Sequence, residues 1–199
     1  EYYILIELKN VWKTYEMGEN IVHALRGVSF KIHRGEFVAV VGPSGSGKST
    51  MMNIIGCLDI PTKGAVFLHD HNIAHLSESR LASIRGRTIG FIFQQFNLIP
   101  TLTALENVAL PMLFQGTSVT TRLARAKALL TKFGLGDRTQ HKPNELSGGQ
   151  SQRVAISRSL ANDPDVILAD EPTGNLDSKT GAEVMKTLED IHKNQGKTV

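Results

Sequence analysis

Phe37-Val38-Ala39-Val40-Val41-Gly42-Pro43-Ser44-Gly45-Ser46-Gly47-Lys48-Ser49-Thr50-Met51-Met52-Asn53-Ile54-Ile55 reads as three pieces in succession. The apolar run Phe37 to Val41 predicts a buried strand. The glycine-rich nonapeptide Gly42 to Thr50 matches G-x-x-x-x-G-K-[ST], and the residues from Met51 onward predict the start of a helix. A strand feeding such a loop into a helix is the context in which this motif cradles phosphates. The loop's N–H groups face the phosphate chain, and the helix N-terminus adds partial positive charge. Lys48 is placed to reach the β- and γ-phosphates, and the Ser49 hydroxyl to ligate Mg²⁺. An ordinary glycine turn with a chance Lys-Ser behind it would arise in about one chain in a hundred of this length. The motif therefore points to a nucleoside triphosphate.

Outward from this loop, composition sets bounds. A chain of 199 residues is long enough for one well-packed α/β domain. Its net charge of +3 is mild and no Lys/Arg cluster stands out, so nothing argues for a nucleic-acid partner. No apolar stretch approaches the ~20 residues of a spanning helix. The first residues lack the pattern of a signal peptide. Cys57 is the lone cysteine, which excludes an internal disulfide, fits a reducing compartment and predicts a buried thiol. The start without Met and the stop at Thr198-Val199, in the pattern of an opening strand, suggest a piece of a longer protein.

The N-terminal part alternates with period two: Leu5, Glu7, Lys9, Val11, Lys13, then Val28, Phe30 and Ile32. This predicts antiparallel strands, with a turn at Glu19-Asn20. Further strands are expected over Ala65 to Leu68 and Thr88 to Phe93, and a short helix capped by Ser77 precedes the latter. From Thr103 to about Ala161 the pattern is helical, broken by Gly116, Gly134-Leu135-Gly136 and Pro143. Ala124, Ala128, Leu129 and Phe133 are expected to form one helix's buried face. Asp163-Pro164 ends the insertion, and Val166 to Ala169 predicts a central parallel strand. A last helix, capped by Asp177 or Ser178, runs to about Lys193, with Gly196 near its end.

Two further motifs carry chemistry. Asp170 and Glu171 follow the apolar strand, at the edge where parallel α/β sheets bind ligands. Asp170 suits Mg²⁺, and Glu171 suits a base that orients or deprotonates water. Leu146-Ser147-Gly148-Gly149-Gln150 opens a helix, and Ser147 with Gln150 makes a capping box. Two glycines in that first turn cost about 1 kcal/mol each, yet they let a phosphate approach bare backbone. One domain already holds a phosphate loop, so a second such helix start suggests that a second copy of the chain supplies it. His69-Asp70-His71 with His75 does not make a closed four-ligand metal set.

With these motifs in this order, the sequence resembles the ATP-binding-cassette (ABC) family over essentially its whole length. The resemblance implies an α/β P-loop NTPase core with a mainly parallel sheet, an N-terminal antiparallel β subdomain and an inserted helical subdomain. It implies a single ATPase domain over 1–199, with the helical insertion at 95–162, and an ATPase that uses Mg²⁺. Tyr15, in Lys13-Thr14-Tyr15, resembles the aromatic that stacks on adenine, so removing only its hydroxyl is expected to be nearly silent. Gly42, Pro43, Ser44, Gly45, Ser46, Gly47, Lys48, Ser49 and Thr50 match the ATP-binding loop. Gln94 resembles the Q-loop glutamine and, with Ser49 and Asp170, a metal contact. Glu171 resembles the catalytic glutamate. Ser147, Gly148, Gly149 and Gln150 match the signature that closes over the partner's ATP in a head-to-tail homodimer. Asp177, in Gly174-Asn175-Leu176-Asp177, matches the D-loop.

The segments Asn53 to Asp59, Phe93 to Pro100 and Pro172 to Asp177 are similar to the subgroup serving lipoprotein release, macrolide export and antimicrobial-peptide export. That subgroup implies a separate membrane permease and a cytoplasmic location on the inner membrane face. The apolar stretch Phe96 to Leu105 reads either as core packing of the helical insertion or as a groove where a permease helix docks. A cell-division or regulatory ATPase that gates a membrane partner is the alternative. DNA-repair relatives carry a long coiled coil between loop and signature, for which the 99 positions from Lys48 to Ser147 leave no room. The family's switch histidine would follow Val199, and His192 on the preceding helix does not replace it.

Overall fold

The computed structural model describes residues 3–18 and 20–199. Glu19 of the expected turn lies outside the described residues. The chain divides into two units, residues 1–85 with Thr198, and residues 86–197 with Val199.

In the first unit, β1 (Ile4–Met17) pairs antiparallel with β2 (Asn20–His33). On its other side β1 pairs with β3 (Lys63–Leu68), which is followed by the short β4 (His71–Asn72), giving the order β2-β1-β3-β4. Alternation holds on β2, where Val28, Phe30 and Ile32 are half-buried, but on β1 Leu5, Ile6, Leu8 and Val11 are all buried, because the register shifts between Leu8 and Val11 and changes the face. Helix α1 (Lys48–Ile55) buries Met51, Ile54 and Ile55.

Residues 37–41 depart from expectation, because they form no strand in either sheet and Val41 is 92% exposed. Apolar β-branched composition favours extended backbone, but a strand exists only through the neighbour whose N–H and C=O groups it bonds.

Cys57 follows α1 and is 2% exposed, as expected of a structural thiol. Burial pushes its pKa up to about 11, with Arg85 opposing. At pH 8 only about one thiol in a thousand is then ionised, against roughly a fifth for an unperturbed cysteine. Native protein is therefore expected to resist iodoacetamide at pH 8 and to label on denaturation. Rapid native labelling, read by mass spectrometry, would contradict this burial.

In the second unit, β5 (Ile89–Phe93) and β6 (Val166–Asp170) pair in parallel, following α2 (Glu78–Thr88). Three helices occupy the expected helical region: α3 (Ala104–Phe114), α4 (Val119–Lys132) and α5 (Gly148–Ser159). Thr103 and Glu106 form a capping box on α3, and Ser118 caps α4. These helices share a core of Val108, Met112, Ala126, Leu130, Leu135 and Val154. The inward stripe of α4 is thus Ala126 and Leu130, while Ala124 and Ala128 are exposed. Alanine is compatible with either face, so the larger leucines set the helix rotation. Helix α6 (Ser178–Gln195) is capped by Asp177 and ends at Gly196, where φ is 64°.

Candidate functional site

The phosphate loop lies in the first unit. Gly47 caps α1 with φ 94°, and a Cβ there would come within 2.5 Å of the Ala24 carbonyl oxygen, so only glycine fits. No side chain caps this helix start, which leaves its first-turn N–H groups pointing into the loop. The Lys48 ammonium donates to the carbonyls of Gly42 at 2.9 Å and Pro43 at 2.8 Å. The loop from Gly42 to Thr50 therefore offers bare amides and a held cation, the two things a triphosphate needs.

Tyr15, on β1 in the same unit, is half-buried. Its hydroxyl donates to Asp59 Oδ2 at 2.9 Å, and Lys13 Nζ lies 5.0 Å over its ring. Burial raises the phenol's pKa, and the Asp59 carboxylate that accepts its proton adds to this. Burial also opposes ionisation of Asp59, but hydrogen bonds from Lys13 and Tyr15 outweigh it and hold the carboxyl below its ordinary range. The hydroxyl is thus engaged, contrary to the expectation that Tyr15→Phe is silent.

The acid-bearing edge belongs to the second unit. Register pairs Phe93 with Asp170, so the two strands end together and place Gln94 and the Asp170-Glu171 pair at one carboxyl edge. Glu171 turns the chain with φ 46°, and Gly174 N–H returns to its carbonyl at 3.0 Å. A Cβ at Gly174 would lie 2.5 Å from Gln94 Nε2, so glycine permits the loop after β6 to reach Gln94. Asn175 Nδ2 donates to the Gln94 carbonyl at 2.9 Å, tying that loop down. Gln152, fully buried on α5, donates through Nε2 to the Pro172 carbonyl.

Sequence reasoning missed Asp59, Gln152 and Asn175 as ties. Gln152 carried a signal, since it shares a helical face with Ile156 and Leu160, where a polar residue needs a partner.

Helix α5 starts as expected. Ser147 Oγ accepts from Gln150 N–H at 3.2 Å, and Gln150 Oε1 accepts from Ser147 N–H at 2.9 Å. A Cβ on Gly149 would meet Thr180 Cγ2 at 2.7 Å, so this glycine also serves packing against α6. Asp177 accepts from Lys179 and Thr180 N–H, both at 3.1 Å, and the Thr180 hydroxyl bond is the main cause lowering its pKa. The α5 start at Ser147, Gly148 and Gly149 opens, beside Arg153, onto a recess of about 340 Å³. Asp177 and Glu183 line it too, and the Asp177 carboxylate already occupies the α6 start, so the groups there that suit an anion are the α5 amides and Arg153.

In the second unit Gln94 and Asp170 bring amide and carboxylate oxygens to one edge, and in the first unit Ser49 brings a hydroxyl, all hard donors. Among the described residues no three His, Cys, Asp or Glu side chains cluster around a cation. Within the second unit, the Gln94 and Asp170 oxygens at this edge are of the kind Mg²⁺ takes, since it keeps waters and accepts phosphate oxygens.

The sequence and fold can be set against known proteins. A family model described as ABC transporter matches residues 25–174. An uncharacterized ABC transporter ATP-binding protein of Thermotoga maritima is 57% identical over 195 residues, spanning 98% of this chain and 83% of that protein. The macrolide export ATP-binding/permease protein MacB of Bdellovibrio bacteriovorus is 52% identical over 195 residues, 98% of this chain but 30% of the longer protein. Among solved structures, the cassette MJ0796, described as a dimeric post-hydrolysis state bound to ADP and Pi, superposes with a TM-score of 0.90. It is 54% identical and matches over 98% of this chain and 86% of that one.

Proposed function

The chain belongs to the ABC transporter family and is an ATPase of that kind, and from this premise we propose that two copies close head to tail around two Mg-ATP. The observation that carries this reading is the second anion-accepting helix start, Ser147-Gly148-Gly149, in a chain whose phosphate loop is already Gly42 to Thr50. Each copy's signature would then serve its partner's γ-phosphate, with Asp177 beside the crossing. The dimeric MJ0796 cassette supports this arrangement.

Within that reading, residues 1–199 act as one ATPase domain with 95–162 as its helical insertion. Tyr15 stacks on the base. The amides of Gly42 to Thr50 and the Lys48 ammonium hold the phosphates. Ser49, Gln94 and Asp170 would hold Mg²⁺, which supplies neutralisation of the phosphate charge. Glu171 orients the attacking water and accepts its proton, while Lys48 stabilises the charge that develops on the γ-phosphate oxygens.

No helix among the described residues is long and apolar enough to cross a membrane. MacB relatives, by name, join an ATP-binding part to a permease in one longer chain. From its likeness to export cassettes, the work of ATP is proposed to act on a separate permease at the inner membrane face, docking near Phe96 to Leu105, in export or in lipoprotein or peptide transport. Co-purification with its native membrane partner tests that docking.

The sandwich itself is tested by Ser147→Arg with Ser147→Ala as control. Both lose the cap, at about 1 kcal/mol, and should melt at similarly lowered temperatures. Only the arginine adds bulk and charge to the recess. It is expected to abolish ATP-dependent dimerisation while leaving ATP affinity of the monomer within about twofold, a change under 0.5 kcal/mol. Equal loss of dimer in both variants would make Leu146 to Gln150 a helix start and nothing more.

A further inference from the structure

We propose that Asp59 is a positioning residue for the nucleotide base, locking Tyr15 as a rigid stacking platform keyed to the phosphate-loop helix. The inference rests on the reading of Tyr15 as the base-stacking aromatic.

Lys13 and Tyr15 lie two residues apart on β1, hence on one face of the strand. Asp59 reaches them from the segment behind α1. Its Oδ2 accepts the Tyr15 hydroxyl at 2.9 Å. Its Oδ1 accepts Lys13 Nζ at 2.5 Å and the N–H of Ile60 at 2.8 Å. The ammonium is held a second time by the Ile60 carbonyl at 2.8 Å. Lys13 and Asp59 side chains are only 12% and 27% exposed, unlike the freely solvated pairs that contribute little.

This cluster is tied to α1 through the backbone of Asp59. The Asp59 N–H donates to the Asn53 carbonyl at 3.3 Å, the third-last residue of the helix. The phenol donates to Asp59, whose carboxylate is itself held by Lys13 and the Ile60 N–H, and this fixes the depth of the ring. The helix that carries Lys48 and Ser49 also sets the height of the aromatic. A platform fixed before binding spares the ordering cost that a free tyrosine would incur on stacking. A base stacking on Tyr15 would use the face that Lys13 does not cover.

The proposal separates base binding from phosphate binding, and both can be titrated by calorimetry with MgADP and with Mg-pyrophosphate, which has no base. Stacking on an aromatic is worth about 5- to 150-fold in affinity, and loosening the platform forfeits part of it. Asp59→Ala is expected to weaken ADP about three- to tenfold and to leave pyrophosphate within about twofold. Tyr15→Phe, which removes a single oxygen and tests the same lock should Asp59→Ala fold poorly, is expected to weaken ADP about two- to fivefold with pyrophosphate again unmoved. Added to Tyr15→Ala, Asp59→Ala should cost ADP nothing more. Equal losses for ADP and pyrophosphate would overturn the proposal, because Asp59 would then support the phosphate helix alone. If Tyr15→Ala weakens ADP while Asp59→Ala and Tyr15→Phe do not, the positioning role fails and base stacking stands. If Tyr15→Ala itself leaves ADP unchanged, base stacking fails and takes the inference with it.

Discussion

Replacing Lys48 with alanine is expected to weaken ATP binding by at least about 100-fold while the protein stays folded. A hydrogen bond to a charged group contributes about 1.5–3 kcal/mol, and on nucleotide binding this ammonium would face two phosphates. The cost to the fold is small for a structural reason. Lys48 Nζ donates only to the exposed carbonyls of Gly42 and Pro43, which water can satisfy once the side chain is gone. The helix keeps its first backbone bond, from Met51 N–H to the Gly47 carbonyl at 2.9 Å. Titration with a fluorescent ATP analogue, beside a thermal melt, separates the two effects. An unchanged affinity would remove Lys48 from the phosphate site, and a collapsed melt would make it a structural residue.

Glu171→Gln is expected to slow ATP hydrolysis by about 10²- to 10⁴-fold, the usual worth of a general base, with ATP still bound. Gln is nearly the same shape as Glu and is no worse suited to the left-handed backbone at φ 46°. The Glu171 carbonyl can therefore still accept from Gly174, and the loop toward Gln94 stays in place. The lost negative charge would otherwise stand near two triphosphates in a closed dimer, so the variant should accumulate as an ATP-dependent dimer by light scattering. Rapid steady-state turnover by Glu171→Gln would assign the base elsewhere.

How far the sequence could be read follows from the range of each interaction. Asp177 and the capping box at Ser147 were legible because their partners lie within four residues along the chain, where cap chemistry is local. Gln94 and Asp170 each stood at the polar end of an apolar run, and the parallel pairing of β5 with β6 brings those two ends to one edge. Asp59, Gln152 and Asn175 were not legible as ties. Their partners are 44, 20 and 81 positions away, a separation that periodicity does not encode. Gly149 was legible as a phosphate opening, but its contact with Thr180 was not. That contact makes Gly149→Asp a poor probe of the dimer, since it disturbs α5 against α6 in the monomer. The rotation of α4 was ambiguous because alanines mark both of its faces. The run 37–41 shows the converse limit, where strand composition is present without a ladder in either sheet.

The proposed arrangement makes one copy's Ser147 a neighbour of the other copy's phosphate loop. It is tested most directly by cysteine crosslinking in the Glu171→Gln background. The native Cys57 is buried and should stay silent. One preparation carries Ser147→Cys, the other Ser44→Cys, and each is treated with a short bis-maleimide alone and after mixing, with and without ATP. Head-to-tail closure predicts a crosslinked dimer only in the mixture and only with ATP. A crosslink in the Ser147→Cys preparation alone, or one that forms equally without ATP, would contradict it.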